Sequence, residues 1–318
     1  MAPRQFISIQ TRIELEDIKT AWKNDLVALV PTMGNLHAGH KALVDKAKTV
    51  ADKVMLYIYV NPMQFGPKED FADYPRTQER DLKLCEDWGV DAVFYPTDAM
   101  IYPQGQARAM QIVPPEHLNN IQYGLLRPWL FTGVATVLTI MFNLVRPNVA
   151  VFGYKDAQQF CIVSQLIRDL CIDMTIVGVP TVREPDGLAL SSRNAYLSPE
   201  QRAEALCLSQ LLRQIHEDFH AGEKYRSKLL NTARHKFQSI EKDYPSLRLE
   251  FIQLVDINTF ESPEVAESHH SLVTVAKLDS IFIIDCLSFS EDLSFKKLPQ
   301  FESLSEKGES YVVPASIT

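Results

Sequence analysis

The sequence lacks a long apolar run, paired cysteines and a surplus of positive charge. Its most apolar stretch, Val134 to Val145, is interrupted by Thr136, Thr139 and Asn143. It falls short of the roughly 18 to 20 residues that a membrane span needs, so neither a transmembrane helix nor a membrane partner is expected. The opening MAPRQFISIQ has no basic segment followed by an apolar run. A secretory signal is therefore not expected, and the expected location is the cytoplasm. The five cysteines, Cys85, Cys161, Cys171, Cys207 and Cys286, are scattered and form no CxxC pair. That excludes a disulfide framework and a zinc ribbon and leaves buried free thiols as the expectation. Thirty-two Lys and Arg against forty Asp and Glu give a net charge of −8, the wrong sign for a general nucleic-acid binder. A local basic pocket stays open.

What the chain does have is ordinary globular composition, 46% apolar and 23% charged over 318 residues, which excludes a disordered chain and predicts two domains at roughly 150 residues each. From Val27 to Pro180, short apolar runs (VALVP, VMLYIYV, DAVFYP, VAVFG, MTIVGV) alternate with stretches whose apolar residues recur every three or four positions. The runs predict buried strands and the stretches predict amphipathic helices. Such alternation implies a doubly wound, Rossmann-like parallel α/β sheet over residues 1–183. After Arg183 a polar loop, EPDGLALSSRN, leads to a helix opening at Ser198-Pro199, with Ser as N-cap and Pro in the first turn. A second helix from about Glu223 and three strand-like runs predict a smaller α+β domain over 184–290. Residues 291–318 show little periodicity and are expected to be a tail, mobile or docked on a neighbour.

The first strand runs through Pro31-Thr32-Met33-Gly34-Asn35-Leu36-His37-Ala38-Gly39-His40 into a helix. A glycine-containing turn at a helix N-terminus offers backbone N–H groups and the helix dipole to a phosphate. Gly34 and Gly39 have the spacing of a P-loop, but His40 and Lys41 stand where that loop requires Lys and then Ser or Thr, so a P-loop ATPase is not expected. His37 and His40 lie on one face of the helix start. Taken alone they fit a helix-end polar contact as well as a phosphate site.

Taken together, VPTMGNLHAGH, YVNPMQFGPKEDFADYPRT, FTGVATVLTIMFNLVRPNVAVFGYKDAQQ and VPTVREPDGLALSSRNAYLS closely resemble the pantothenate synthetase (pantoate–β-alanine ligase) family. The resemblance is specific from about Val27 to Leu197 and looser to about Phe289. It implies a nucleotidylyltransferase-like Rossmann domain that binds ATP and pantoate, a smaller C-terminal lid domain, and a cytoplasmic homodimer. The implied reaction joins pantoate to β-alanine with ATP and Mg²⁺ through a pantoyl adenylate, releasing AMP and pyrophosphate, in the biosynthesis of pantothenate, a coenzyme A precursor. His37 and His40 match the HxGH signature, which contacts ATP and stabilises adenylation. Gln64 and Gln159 match the glutamines that hold pantoate. Lys155 matches a phosphate-binding lysine and Asp156 the adjacent acid near Mg²⁺. Ser191, Ser192 and Arg193 match the loop that closes on the ATP phosphates. Met33, Gly39 and Gly153 are further implied ATP contacts, and Asp81 is a second implied metal ligand.

The residue types suit that chemistry independently. A carboxylate is already ionised at pH 7, so attack on the α-phosphorus requires no general base. The obstacle is charge repulsion, which positioned Lys155, Arg193, imidazoles and a divalent cation would lower. Neutral glutamines can orient a hydroxy acid without binding its carboxylate so tightly that it weakens as a nucleophile.

Three departures from the family pattern stand out. RPxHF is here Arg127-Pro128-Trp129-Leu130-Phe131, GEKD is Gly153-Tyr154-Lys155-Asp156 with Ala157 in place of the usual aromatic, and Arg80 separates Glu79 from Asp81. The ring of Tyr154 is expected to fill the volume vacated at Ala157. Two other readings are an amide ligase of the same mechanism acting on a different acid or amine, and a nucleotide-binding homologue that has lost turnover.

Overall fold

The computed structural model describes residues 6–67, 69–279 and 281–290, together with the backbone of 312–313. The described residues divide into two compact units, one drawn from 6–152, 162–179 and 312–313, the other from 153–161 and 180–290.

The first unit is built on strands β1 (Ile7–Ile9), β2 (Val27–Thr32), β3 (Lys53–Ile58), β4 (Ala92–Phe94), β5 (Val149–Gly153) and β6 (Thr175–Val179). They form one parallel sheet in the order β1-β4-β3-β2-β5-β6. The helices are α1 (Arg12–Ala21), α2 (Ala38–Val50), α3 (Gln78–Asp87), the short α4 (Asp98–Ile101), α5 (Glu116–Asn119) and α6 (Gln122–Leu126), then α7 (Leu130–Val145) and α8 (Ala157–Asp169), whose first turn belongs to the second unit. In β3 every residue from Val54 to Ile58 is buried. That is why the strands read as continuous apolar runs rather than alternating ones. Successive connections leave the sheet in opposite directions from β2 and β5, which pair directly at Ala28–Val149 and Leu29–Ala150. The crevice beyond the carboxyl ends of such a strand pair is where ligands bind in doubly wound sheets.

Two features escaped the sequence reading. β1 is only three residues long, too short for periodicity to show, and it adds an edge strand by pairing with β4 from Ile7 to Ile9. α7 begins at Leu130, three residues before Gly133. Gly133 lies inside the helix, at a position where a Cβ would sit 2.3 Å from the Met63 carbonyl oxygen. The expected tail lies outside the described residues except for Val312–Val313, whose backbone pairs antiparallel with β6 at Val177 and Ile176.

The second unit carries α9 (Pro199–His220), α10 (Arg226–Asp243) and an antiparallel sheet of β7 (Leu247–Asp256), β8 (His270–Leu278) and β9 (Ile281–Ser288) in that order. Ser198 caps α9 reciprocally: its Oγ accepts from Gln201 N at 3.2 Å, and Gln201 Oε1 accepts from Ser198 N at 3.0 Å. Leu208, Leu212, Leu229, Phe237, Leu254 and Leu272 form the core between helices and sheet. Four cysteines are buried as expected, but Cys171 is exposed, because the left-handed turn that ends α8 carries it outward.

A buried ion pair closes this unit. Arg183 donates to both carboxylate oxygens of Asp285 at 2.6 and 2.7 Å, and also to the carbonyls of Gly187 and Cys286. Asp285→Ala would leave that guanidinium buried without its partner, and urea unfolding should show a loss of about 3–5 kcal/mol. An unchanged midpoint would mean that water replaces the carboxylate there.

Candidate active site

β2 ends at Thr32, and the next four residues turn the chain into α2. Gly34 and Asn35 both have positive φ, +83° and +50°, which glycine and asparagine tolerate best. The turn is gripped by the buried carboxylate of Asp81 on α3. Asp81 Oδ2 accepts from Asn35 N and Oδ1 from Leu36 N, each at 2.9 Å, and Thr77 Oγ1 donates to Oδ2 at 3.0 Å. A Cβ on Gly34 would lie 3.0 Å from Asp81 Oδ2. Arg80 grips from outside, donating to Asn35 Oδ1 and to the Leu36 carbonyl, both at 3.1 Å.

This geometry corrects two expectations. Asp81 was expected to hold metal, but it is 1% exposed and both its oxygens are engaged by protein donors. It is the anchor of the turn. The turn was also expected to offer free backbone N–H groups to phosphate, but Gly34 N donates to Thr32 Oγ1, Asn35 N and Leu36 N to Asp81, His37 N to His40 Nδ1, and Gly39 N to His37 Nδ1. Those amides are already used.

What the turn offers instead is imidazole. His37 is the N-cap of α2 and His40 its third residue, so the HxxH spacing forms a reciprocal cap made of two histidines. Each Nδ1 accepts a backbone N–H, at 3.2 and 3.1 Å. A neutral imidazole has one donor and one acceptor nitrogen, so the proton of each ring is on Nε2. The rings lie 4.1 Å apart. The helix-end contact and the donor pair are therefore the same arrangement.

Gln64 lies in the same unit, at the end of a 3-10 turn, Pro62–Gln64, capped by Asn61. Its carbonyl accepts from Arg127 Nη2 at 2.9 Å, and Arg127 also donates from Nε to Glu69 Oε1 at 2.7 Å. Arg127 is the first residue of the altered RPWLF segment, and Leu130 within it is buried at the start of α7. Packing explains Leu130 there.

Met33 lies in the turn after β2 in the first unit, and Gly153, Lys155, Asp156, Gln159, Ser191, Ser192 and Arg193 belong to the second unit. Lys155 Nζ lies 3.8 Å from Asp156 Oδ1, and Asp156 is half exposed. Tyr154 is buried with its ring edge-on to Phe160 at 4.9 Å, and Ala157, three residues on, is also buried. The ring expected over Ala157 thus has Phe160 as its aromatic partner. Gln159 is half-buried on the first turn of α8. Ser191 Oγ accepts from Arg193 N at 3.3 Å and starts the 3-10 turn Ser192–Tyr196. Asn194 ties that turn to Glu184 and to the Ala189 carbonyl.

For a metal, the half-exposed Asp156 carboxylate fits the single-carboxylate contact that Mg²⁺ commonly makes when it travels with a polyphosphate. Asp256, His269 and His270 also bring ligand atoms within 4.8 Å of one another. There, however, His270 Nδ1 accepts from Glu267 N at 3.0 Å, which puts the ring proton on Nε2 and leaves no lone pair for a cation.

A doubly wound sheet with a histidine-capped helix following the strand at its switch point defines a nucleotide-using α/β enzyme. Comparison with known proteins gives the family: the pantoate-beta-alanine ligase profile matches residues 7–288, and the chain belongs to that family. It is 46% identical over 237 residues to the pantothenate synthetase of Thermobifida fusca, covering 74% of this chain and 79% of that protein. It is 42% identical over 289 residues to that of Methylococcus capsulatus, covering 89% and 98%. The crystal structure of pantothenate synthetase from Thermus thermophilus superposes with a TM-score of 0.81 at 37% identity, over 89% of this chain and 99% of that one. The Francisella tularensis pantoate-beta-alanine ligase, complexed with beta-gamma ATP and beta-alanine, gives 0.73 at 29% identity, over 91% and 99%.

Two outcomes follow from the anchors. Asp81→Asn should lower stability by about 1–3 kcal/mol in urea unfolding and leave the magnesium concentration for half-maximal activity unchanged. A shifted magnesium requirement at full stability would restore Asp81 as a ligand. At Glu69, burial alone would push the carboxyl up, but Arg127 and the Gly66 N–H outweigh it and hold it below the usual value. A depressed acid adds stability that is present above its unfolded value, about 4.3, and is lost as pH falls through the folded value. Thermal unfolding of Glu69→Gln should therefore depend less on pH than wild type below about pH 4.3; parallel curves would contradict this.

Proposed function

We propose that the chain performs its ATP-dependent ligation of pantoate with β-alanine through a pantoyl adenylate. The observation that carries this reading is the histidine cap, two Nε2–H donors side by side on the first turn after β2. In the first step a pantoate carboxylate oxygen attacks the α-phosphorus of ATP and the bond to the β-phosphate oxygen breaks, releasing pyrophosphate. In the second, the β-alanine amine attacks the acyl carbon, loses a proton, and AMP leaves. His37 and His40 donate to phosphate oxygens as charge builds on them, and Lys155 and Arg193 neutralise the triphosphate and the departing pyrophosphate. Met33, Gly39 and Gly153 contact ATP, while Ser191 and Ser192 set the loop carrying Arg193. Gln64 and Gln159 orient pantoate. Mg²⁺, held through Asp156, would supply charge neutralisation on the phosphates.

The same proposal gives residues 1–183 to ATP and pantoate binding and 184–290 to a lid domain, with a homodimeric assembly in the cytoplasm. No helix among the described residues is long and apolar enough to cross a membrane. In support of a dimer, Met110 and Val113 are exposed apolar side chains, 89% and 66%, on an extended segment tied to α7 through Ile112 N and Thr136 Oγ1. Sedimentation should give twice the 36.1 kDa chain mass.

Incubation with ATP, Mg²⁺, pantoate and β-alanine should yield AMP, pyrophosphate and pantothenate in equal amounts; ADP and orthophosphate as the first products would contradict the mechanism. His40→Ala and Lys155→Ala should each lower kcat by about two to three decades, the range for one preorganised charge-stabilising donor. Near wild-type turnover in both would displace the site.

A further inference from the structure

Asn61 is fully buried, and its amide makes four hydrogen bonds. Oδ1 accepts from Met63 N at 3.3 Å and from the Tyr102 hydroxyl at 2.7 Å. Nδ2 donates to the Gly133 carbonyl and to Gln64 Oε1, both at 3.0 Å. A backbone N–H can only donate and a backbone carbonyl can only accept, so Met63 and Gly133 fix which way round the Asn61 amide lies. The orientation of Gln64 follows from it. The Asn61 N–H needs an acceptor, so Gln64 turns Oε1 inward and keeps Nε2, with its two donors, on the other side.

We propose that Tyr102 holds the Asn61 amide, whose sense Met63 and Gly133 fix, in the place where it orients the Gln64 amide, so that this subsite presents N–H donors selective for the carboxylate or hydroxyl oxygens of an acid substrate. Tyr102 is a positioning residue in this relay, and the inference rests on Gln64 being a pantoate contact. Its logic is electrostatic. An amide turned the other way would set a carbonyl oxygen against an anionic oxygen, and a free glutamine side chain can make either choice. Tyr102 makes the shortest bond in the network and is itself buried at 4% exposure. Burial pushes its phenol well above the usual value, so it remains a donor throughout the working pH range. The neighbouring Tyr59 hydroxyl is directed to Asp98 Oδ1 at 2.9 Å and does not compete for Asn61. Gly133 completes the device: with no Cβ, α7 comes close enough for its carbonyl to reach Asn61.

The test is a double-mutant cycle on the full-length enzyme. Tyr102→Phe keeps the ring and removes only the donor to Asn61. It should raise the KM for pantoate about five- to tenfold, the scale of one hydrogen bond, and leave the KM for ATP within about twofold. Gln64→Ala should raise the pantoate KM further. In the Gln64→Ala background, Tyr102→Phe should have no additional effect on pantoate, because its action passes through the amide that has been removed. A general packing defect would add in both backgrounds. Additive effects, or equal rises in both KM values, would overturn the relay. So would an unchanged pantoate KM in Tyr102→Phe when Gln64→Ala raises it, and that result would leave Gln64 in the pantoate site. An unchanged pantoate KM in Gln64→Ala itself would overturn both the glutamine assignment and the relay built on it.

Discussion

One buried carboxylate holds the candidate nucleotide site in shape. The turn after β2 adopts two successive positive-φ residues, a conformation with no regular hydrogen-bond ladder of its own, and Asp81 supplies the missing acceptors for Asn35 and Leu36. A charged acceptor on backbone N–H groups is stronger than a neutral one, and the low-dielectric surroundings strengthen it further. The charge is felt locally. Burial first, and then the neighbouring Asp81, push the Cys85 thiol up to about 12, which keeps it an inert core residue. With the turn fixed, the start of α2 is fixed, and with it the position of both histidines.

The economy of the site lies in giving one group two uses. Helix N-termini leave backbone N–H groups without partners, and serine, threonine or aspartate usually accept from them. Here His37 and His40 do so through Nδ1. The capping bonds determine the tautomer, and the tautomer determines that Nε2 is a donor. A phosphate oxygen can then be met by two preoriented N–H groups. Arg127 shows the same pattern beside Gln64 in the first unit, where one buried guanidinium is shared between Glu69 and the Gln64 carbonyl.

Much of this was legible in the sequence. Continuous apolar runs separated by helical periodicity give a parallel sheet whichever side chains fill it, and Ser198-Pro199 marks a helix start by capping chemistry alone. The family resemblance drew attention to His37, His40, Gln64 and Lys155. What could not be read was the saturation of individual atoms. Asp81 and Asp156 are both acids in promising segments, but one has both oxygens occupied by backbone and hydroxyl donors and the other is half exposed. Nothing in their neighbours in sequence separates them. Arg80, which looked like a break in an acidic cluster, is a clamp on the same turn, across 45 residues of chain from Asn35. Tyr102 stands 41 residues from Asn61, and only the fold brings them together. The nearest local signal was Asn61 before Pro62, an N-cap pattern for a short turn. β1 was missed for lack of length.

In the adenylate mechanism an acyl phosphate is made before the amine is used, and isotope exchange reads that order directly. With ATP, Mg²⁺ and pantoate but no β-alanine, labelled pyrophosphate should enter ATP, because adenylation is reversible while the adenylate stays bound. Omitting pantoate should abolish the exchange. Exchange that requires β-alanine, or none with pantoate in an enzyme that still forms pantothenate, would contradict the adenylate mechanism.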